Sequence, residues 1–235
     1  MTNVLITGGA GEVGLTLTKE FIKEGIDVYG IDDINREEHE ELAYLGRNAL
    51  YHFTNKSITC VDFTQFEPVD VIFHLGQRSP STNKYSDLRT TFKNQKKNTE
   101  LIVNFASTCG ATVVLVSTLD VYGEQLADPN PNIEIPLPRS LYGSYMLSEE
   151  TFLVSSATAN DVKYCILRIP PIDGFNNLIE KRCQGIDEIE KAGVSSQCRE
   201  LINGQSISKK KLVDYCFSIL NGGIEEKVIT LFNKY

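Results

Sequence analysis

Hydrophobic residues along the chain alternate between short runs rich in Val, Ile and Leu and longer stretches with helical spacing. The short runs predict strands at 3–7, 27–31, 58–61, 70–75, 112–117 and 163–168, and a last short strand at 227–232. The longer stretches predict helices at about 12–24, 88–108, 142–158 and 207–220. Because strands and helices alternate, the pattern predicts an α/β fold with a Rossmann-type, doubly wound parallel sheet.

The alternation weakens after Gly174, so the sequence predicts two parts of unequal size. Residues 1–174 are expected to form the Rossmann domain, and residues 175–235 a small C-terminal lobe that partly returns to the main domain. The prolines between 129 and 138 predict a loop, since proline lacks the N–H group that a helix or a central strand needs.

Composition and charge exclude several classes of partner. The formal net charge of -8 at pH 7 gives no attraction for nucleic acid or for anionic membranes. The six cysteines form no CxxC pair, so neither a metal site nor a disulfide framework is predicted. No basic leader precedes the first strand and no apolar run reaches 18 residues, so a cytoplasmic protein is expected.

Glycines at a spacing of three follow the first predicted strand and open the first predicted helix. Gly8 permits a tight turn, Gly11 lets backbone N–H groups approach a pyrophosphate, and Gly14 lets the helix pack closely on the strand. Glu12 and Val13, at the helix start, are included in the predicted phosphate site. The turn therefore predicts a dinucleotide cofactor.

Asp32 ends the second predicted strand, 18 residues after Gly14. A carboxylate at this point can accept hydrogen bonds from both ribose hydroxyls of NAD and would repel the 2′-phosphate of NADP. The sequence therefore favours NAD as the cofactor. The alternative is an ordinary glycine turn followed by an exposed aspartate at a strand end.

Five segments occur in the order and spacing of the extended short-chain dehydrogenases/reductases: TGGAGEVG, GIDD, HLGQ, VSTLDVYG and LYGSYM. Over about residues 3–174 the chain resembles this family, and within it the NAD-dependent nucleotide-sugar epimerases and dehydratases. The resemblance implies NAD, a sugar or nucleotide-sugar substrate, and a homodimer built from the helices at 88–108 and 142–158. The part after Gly174 is short for that family, which implies a small substrate or an open pocket.

The same resemblance implies further contacts to the cofactor. Asp62, with Phe63 beside it, would bind the adenine amino group. The backbone of the segment that contains Leu75 and Gly76 would lie along the cofactor. His74, in the same segment, is interpreted as a packed structural residue.

The resemblance also assigns the catalytic groups. Tyr142 matches the tyrosine that takes a proton from the substrate hydroxyl as hydride leaves, and Thr118 matches the residue that hydrogen-bonds the reacting oxygen. Asp120 stands where the sugar 4,6-dehydratases carry a glutamate that removes a proton beside a transient ketone. The alternative for Asp120 is a solvent-facing turn carboxylate. Arg168 matches a strand-end arginine with a structural role.

Met146 occupies the position of the family's lysine, four residues after the tyrosine, and carries no charge. If Tyr145 is taken as the catalytic tyrosine instead, Glu149 falls at the lysine position, and its carboxylate would raise the pKa of the phenol. The alternative, left open, is that Arg78, Lys84 or Arg139 supplies the missing positive charge from elsewhere in the fold.

Three hypotheses follow from this pattern. The first is an epimerase/dehydratase-like enzyme with an atypical active site. The second is a non-catalytic NAD-binding sensor or assembly protein. The third is a simple NAD-dependent alcohol oxidoreductase.

Overall fold

The computed structural model describes residues 2–34, 40–76, 85–127, 135–173, 206–222 and 227–230. Its parallel strands are β1 (Asn3–Thr7), β2 (Asp27–Asp32), β3 (Tyr51–Asn55), β4 (Val71–His74), β5 (Thr112–Thr118), β6 (Tyr164–Ile169) and β7 (Val228–Thr230). They form one seven-stranded sheet in the order β3-β2-β1-β4-β5-β6-β7. The order reverses direction between β1 and β4, so the predicted doubly wound sheet is confirmed.

Helices cover both faces of this sheet. They are α1 (Glu12–Lys23), α2 (Glu40–Leu45), α3 (Tyr85–Cys109), α4 (Leu141–Ala159) and α5 (Lys209–Leu220). Val4 and Ile6 of β1 lie in the cluster that contains α1 and α5, whereas Leu5 lies in the cluster that contains α3 and α4. Successive side chains of a strand point to opposite faces, so each buried strand contributes to both cores.

The prediction of the third strand was wrong. Residues Ile58–Cys60 form a short 3₁₀ helix, and the strand lies earlier, at Tyr51–Asn55. This strand is at the edge of the sheet, and of its five residues Tyr51 alone is buried. Because an edge strand is covered less than a central one, its sequence lacks the continuous apolar run that identified the others. Helix α2 was not predicted.

The described C-terminal residues belong to the main core. β7 pairs in parallel with β6, and a single bridge joins Ile172 to Ile207 at the start of α5. Leu212 and Cys216 of α5 are fully buried in the same cluster as α1. The lobe predicted from residue 175 falls largely outside the described residues and stays a prediction. No helix in the described part of the chain is long and apolar enough to cross a membrane.

Candidate active site

The glycine turn joins β1 to α1 by close backbone contacts. Gly8 has φ of +70°, a conformation that other residues rarely adopt, and a Cβ on Gly14 would lie 2.4 Å from the carbonyl oxygen of Gly8. α1 begins at Glu12, followed by Val13, and its N-cap Gly11 supplies no side-chain acceptor. The N–H groups of the first helical turn are therefore suited to an anionic group.

A cavity of about 350 Å³ lies beside this turn. Gly8 and Gly76 line it where β1 and β4 end, and Asp32 lines it at the end of β2. The other sides come from the segment after β3 and from one face of α3. In an open parallel sheet, ligands bind at the carboxyl ends of the strands where the order reverses, and this cavity has that position.

Backbone N–H groups hold the carboxylate of Asp32. The Ala10 N–H donates to Oδ2 at 3.0 Å, and the Asp33 N–H donates to Oδ1 at 2.8 Å. A carboxylate oxygen can accept two hydrogen bonds, so each oxygen keeps an acceptor position for a ligand hydroxyl. The glycine turn and the end of β2 thus fix one acidic group at the wall of the cavity.

The structure does not bring Asp62 and Phe63 to this cavity. Asp62 is exposed and caps a short 3₁₀ helix, and hydrogen bonds from the Thr64 hydroxyl and N–H lower its pKa. Phe63 packs on Phe105, with ring centroids 5.1 Å apart. Ser57 and Ile58 line the cavity instead. The misplaced third strand explains the difference, because the segment that follows β3 begins several residues earlier than expected.

Polar residues on α3 form a side of the site that sequence analysis missed. Thr91, Asn94, Gln95 and Asn98 line the cavity opposite the glycine turn. Their spacing of three and four residues places them on one helix face, and that polar stripe was the available signal. Amide side chains provide both donors and acceptors, as recognition of a nucleotide requires.

The three predicted catalytic residues lie on neighbouring segments at the carboxyl end of β5. Thr118 ends that strand and is 1% exposed, and the Asp120 N–H donates to its Oγ1 at 3.2 Å. A Cβ on Gly143 would lie 2.4 Å from the Asp120 carbonyl oxygen, so the first turn of α4 is in close contact with this segment. Ser140 caps the turn by accepting from the Gly143 N–H at 2.8 Å. This contact brings Tyr142 next to the end of β5.

Met146 lies in a small apolar cluster and is 2% exposed. Leu119, Val121 and Tyr122 are buried in the same cluster, and Tyr142 packs against it. The side chain at the lysine position is therefore enclosed by hydrocarbon. Arg139, one of the proposed substitutes, is exposed, and Arg78 and Lys84 lie outside the described residues.

Tyr145 lines the cavity from α4. Burial raises the pKa of its phenol, and the neighbouring Glu149 and Tyr142 raise it further. The predicted effect of Glu149 on this phenol is therefore confirmed. A phenol with a raised pKa is a poor general base, which argues against Tyr145 in that role.

Glu150 and Arg168 form a buried ion pair that joins α4 to β6. Arg168 donates to Glu150 through Nε at 3.0 Å and through a second nitrogen at 2.5 Å. Ser117 donates to the same carboxylate at 2.5 Å, and Arg168 also donates to the Tyr122 hydroxyl at 2.7 Å. The bidentate pair fixes α4 against the sheet, so both charges are structural.

The parallel sheet, the glycine turn and the strand-end aspartate define this chain as a dinucleotide-binding α/β protein of the Rossmann type. Family comparison specifies the class further. The model of the NAD-dependent epimerase/dehydratase family matches residues 4–185. The chain belongs to this family, whose cofactor is NAD.

Curated relatives are longer than this chain. UDP-glucuronic acid decarboxylase 4 of Arabidopsis thaliana is 29% identical over 190 residues, which cover 77% of this chain and 40% of that protein. UDP-glucuronic acid decarboxylase 1 of Danio rerio is 26% identical over 247 residues, covering 96% of this chain and 55% of that protein. The chain thus spans about half the length of such relatives or less.

Solved structures share the fold. A crystal structure of UDP-glucuronic acid 4-epimerase from Bacillus cereus, in complex with UDP-glucuronic acid and NAD, superimposes with a TM-score of 0.75 at 20% sequence identity. The match covers 100% of this chain and 78% of that one. At this level of sequence identity, the similarity shows a shared fold.

Proposed function

We propose that the chain binds NAD in the cavity at the carboxyl edge of the sheet. The fixed carboxylate of Asp32 suits the adenine ribose hydroxyls, and the N-terminal turn of α1 suits the pyrophosphate. The amide groups on α3 suit the base and its ribose. The single observation that carries the proposal is Asp32, held by two backbone N–H groups at the wall of a cavity that Gly8 also lines.

Calorimetric titration with NAD and NADP tests this proposal. NAD is expected to bind at least about tenfold more tightly, because a 2′-phosphate would approach the Asp32 carboxylate at the wall of the cavity. Asp32→Asn should reduce that preference, whereas Asp214→Asn, an exposed position on α5, should leave it unchanged. Equal affinities in the wild type would refute the proposal.

For catalysis, we propose an epimerase/dehydratase-like reaction on a sugar or nucleotide-sugar. Bound NAD supplies a transient acceptor for hydride. Tyr142 takes the proton of the substrate hydroxyl, and Thr118 hydrogen-bonds the same oxygen. Asp120 removes a proton beside the resulting carbonyl group. The contact of Gly143 with Asp120 supports this assignment, because it holds all three residues at one strand end.

The apolar surroundings of Met146 favour a second candidate function. Met146, one helical turn after Tyr142, carries no charge and is buried among apolar side chains, so it does not supply the cation of the family's lysine. A protein that binds NAD as a sensor or assembly partner needs the cavity and does not need hydride transfer. The two candidates share the cofactor site and differ in chemistry at Tyr142.

Turnover distinguishes the candidates. The wild type, Tyr142→Phe and Thr118→Val are incubated with NAD and a panel of UDP-sugars, and products and absorbance at 340 nm are followed. Conversion that both substitutions abolish supports the enzyme. Stable release of NADH indicates a simple alcohol oxidoreductase. Firm NAD binding with no conversion of any sugar supports the sensor or assembly protein.

We further propose that the protein is a cytoplasmic homodimer. Cys60, Cys109, Cys165 and Cys216 are free thiols, as a reducing compartment would keep them. The outer faces of α3 and α4 form a groove of about 450 Å³ that suits contact between two copies.

A further inference from the structure

Four polar side chains form a buried chain of hydrogen bonds between the end of β1 and α4. They are Thr7, His74, Thr99 and Glu149, and each is at most 1% exposed. The Thr7 hydroxyl bonds His74 Nδ1 at 2.7 Å, and His74 Nε2 bonds Glu149 Oε1 at 3.2 Å. Thr99 also donates to Glu149 Oε1. The proposed catalysis makes no use of these contacts.

The hydrogen bonds of Thr7 indicate the tautomer of His74. Thr7 Oγ1 accepts from the N–H groups of Leu75 and Gly76, both at 3.1 Å. A hydroxyl has two acceptor positions and one proton, so the remaining bond to Nδ1 must be donated by Thr7. Nδ1 is therefore unprotonated, and the proton of the neutral ring is on Nε2, where it donates to Glu149.

Glu149 is an unusual group for this environment. It faces a neutral histidine and a hydroxyl, and none of the described residues hydrogen-bonds its second oxygen. Burial of a carboxyl group without a cation is costly, and an apolar side chain in its place would avoid that cost. A buried polar group that lowers stability suggests a functional role for the hydrogen bonds it makes.

Those hydrogen bonds act on the backbone that borders the cofactor cavity. A Cβ on Gly8 would lie 2.8 Å from the Leu75 carbonyl carbon and 2.9 Å from the Gly76 nitrogen, so the two segments are in close contact. Gly8 and Gly76 both line the cavity. The Thr7 hydroxyl holds the Leu75–Gly76 segment in this place, and His74 fixes the direction of that hydroxyl.

We propose that Glu149 is a positioning residue for the cofactor, acting through His74 and Thr7 on the backbone of Gly8 and Gly76. The proposal rests on NAD binding in this cavity. Through these contacts α4 has a polar connection to the cofactor site, which the apolar Met146 does not provide.

Nitrogen-15 NMR of the imidazole rings tests the arrangement in the wild-type protein. The chain has three histidines, and a His74→Gln variant assigns the signals of His74. At pH 7 we expect a neutral ring with the proton on Nε2. An imidazolium, or a ring protonated on Nδ1, would overturn the proposal without any need for a Glu149 variant.

Two substitutions at Glu149 test the effect on the cofactor. Glu149→Leu should weaken NAD binding about tenfold and shift the nitrogen-15 signal of His74 Nε2, since the Nε2–H loses this buried acceptor and the loss of one such hydrogen bond has roughly that effect on affinity. Glu149→Gln keeps an oxygen acceptor and should restore both properties. Unchanged NAD affinity in a folded Glu149→Leu protein, or no rescue by Gln, refutes the role.

Controls separate this role from simple stabilisation. Glu150→Gln removes a neighbouring buried charge of α4 and should lower stability while the nitrogen-15 signals of His74 stay unchanged. If Glu149→Leu fails to fold, a comparison of Thr7→Val with Thr7→Ser tests the same connection, because only Ser keeps the hydroxyl. Equal NAD affinity of these two variants refutes the proposal. If the wild type binds no NAD, the proposed function fails; if it binds NAD and the variants bind equally well, this inference alone fails.

Discussion

Met146 occupies the position of the family's catalytic lysine and is also part of the buried core. Its side chain fills an apolar cluster with Leu119, Val121 and Tyr122. Methionine is flexible and fits such a space, whereas an ammonium group there would lose its hydration. The environment therefore suits methionine, and a lysine restored at this position has to reach the cavity to avoid burial of its charge.

We predict that Met146→Lys lowers the free energy of unfolding by more than about 2 kcal/mol, because the cluster buries the added charge. Met146→Leu, a matched apolar control, should cost less than about 1.5 kcal/mol. Urea unfolding followed by circular dichroism measures both. Equal stability of the two variants would mean that the lysine ammonium reaches the cavity, and the Tyr142 pKa should then fall.

Cys60 gives a pH-dependent test of the cavity. Hydrogen bonds from Ser57 and Thr59 lower the pKa of this exposed thiol. A lowered pKa means that thiolate is already present at a pH where an ordinary thiol is still protonated, so alkylation should begin at a lower pH than for free cysteine.

We predict that NAD slows iodoacetamide labelling of Cys60, because Ser57 and Thr59 line the cavity. The labelling reaction is run between pH 6 and 9 and followed by mass spectrometry of tryptic peptides. A Cys60→Ser variant shows how much of the labelling takes place at Cys60. A labelling rate independent of NAD would place the cofactor away from this segment.

At the scale of elements, the connection between β1 and α1 depends on Gly14. The carbonyl oxygen of Gly8 and the backbone of Gly9 occupy the space where a side chain would begin. Backbone atoms cannot move aside as the end of a flexible side chain can. A substitution therefore pushes the whole helix away from the strand.

We predict that Gly14→Ala destabilises the protein by roughly 1–3 kcal/mol, as overpacking against fixed atoms does. Gly11→Ala is the matched control, since its Cβ would lie 3.2 Å from one backbone oxygen, and it should cost less than about 1 kcal/mol. Thermal and urea unfolding compare the two variants. Similar losses would show that the helix has room to shift.

The elements also show why some predictions succeeded. β1, α1 and β2 were predicted to within one residue at each end, because a buried central strand, a glycine turn and an amphipathic helix each leave a local pattern. β3 was misplaced because an edge strand needs little apolar sequence. Asp62 was assigned to the adenine from the family resemblance, as a residue just after the third strand, and that strand lies earlier in the chain.

At the scale of the whole molecule, the tertiary structure divides the apolar residues of α3 and α4 between two surfaces. Ile102 and Phe105 are buried against the sheet, and Phe92 packs on Tyr145 with ring centroids 5.6 Å apart. Phe152 instead lines the groove between the outer faces of the two helices. The groove also contains Lys96 and Glu100.

We predict a homodimer that uses this groove, so Phe152→Asp should yield monomers. An aspartate would place a desolvated charge at the contact. Tyr44→Asp is the control, since Tyr44 is 74% exposed on α2, far from the groove in the fold. Sedimentation velocity at micromolar concentration distinguishes the forms, and a monomeric wild type would contradict the prediction.

The sequence by itself determined the parallel sheet, the glycine turn, the strand-end position of Asp32 and the absence of a lysine at Met146. Each of these depends on local spacing or on the identity of one residue. Only the tertiary structure decided which side chains meet across the sheet, such as His74 with Glu149, 75 residues apart, and the face of α3 that lines the cavity. Contacts between distant segments depend on strand order and on where each helix lies over the sheet, and the local spacing of residues does not encode either.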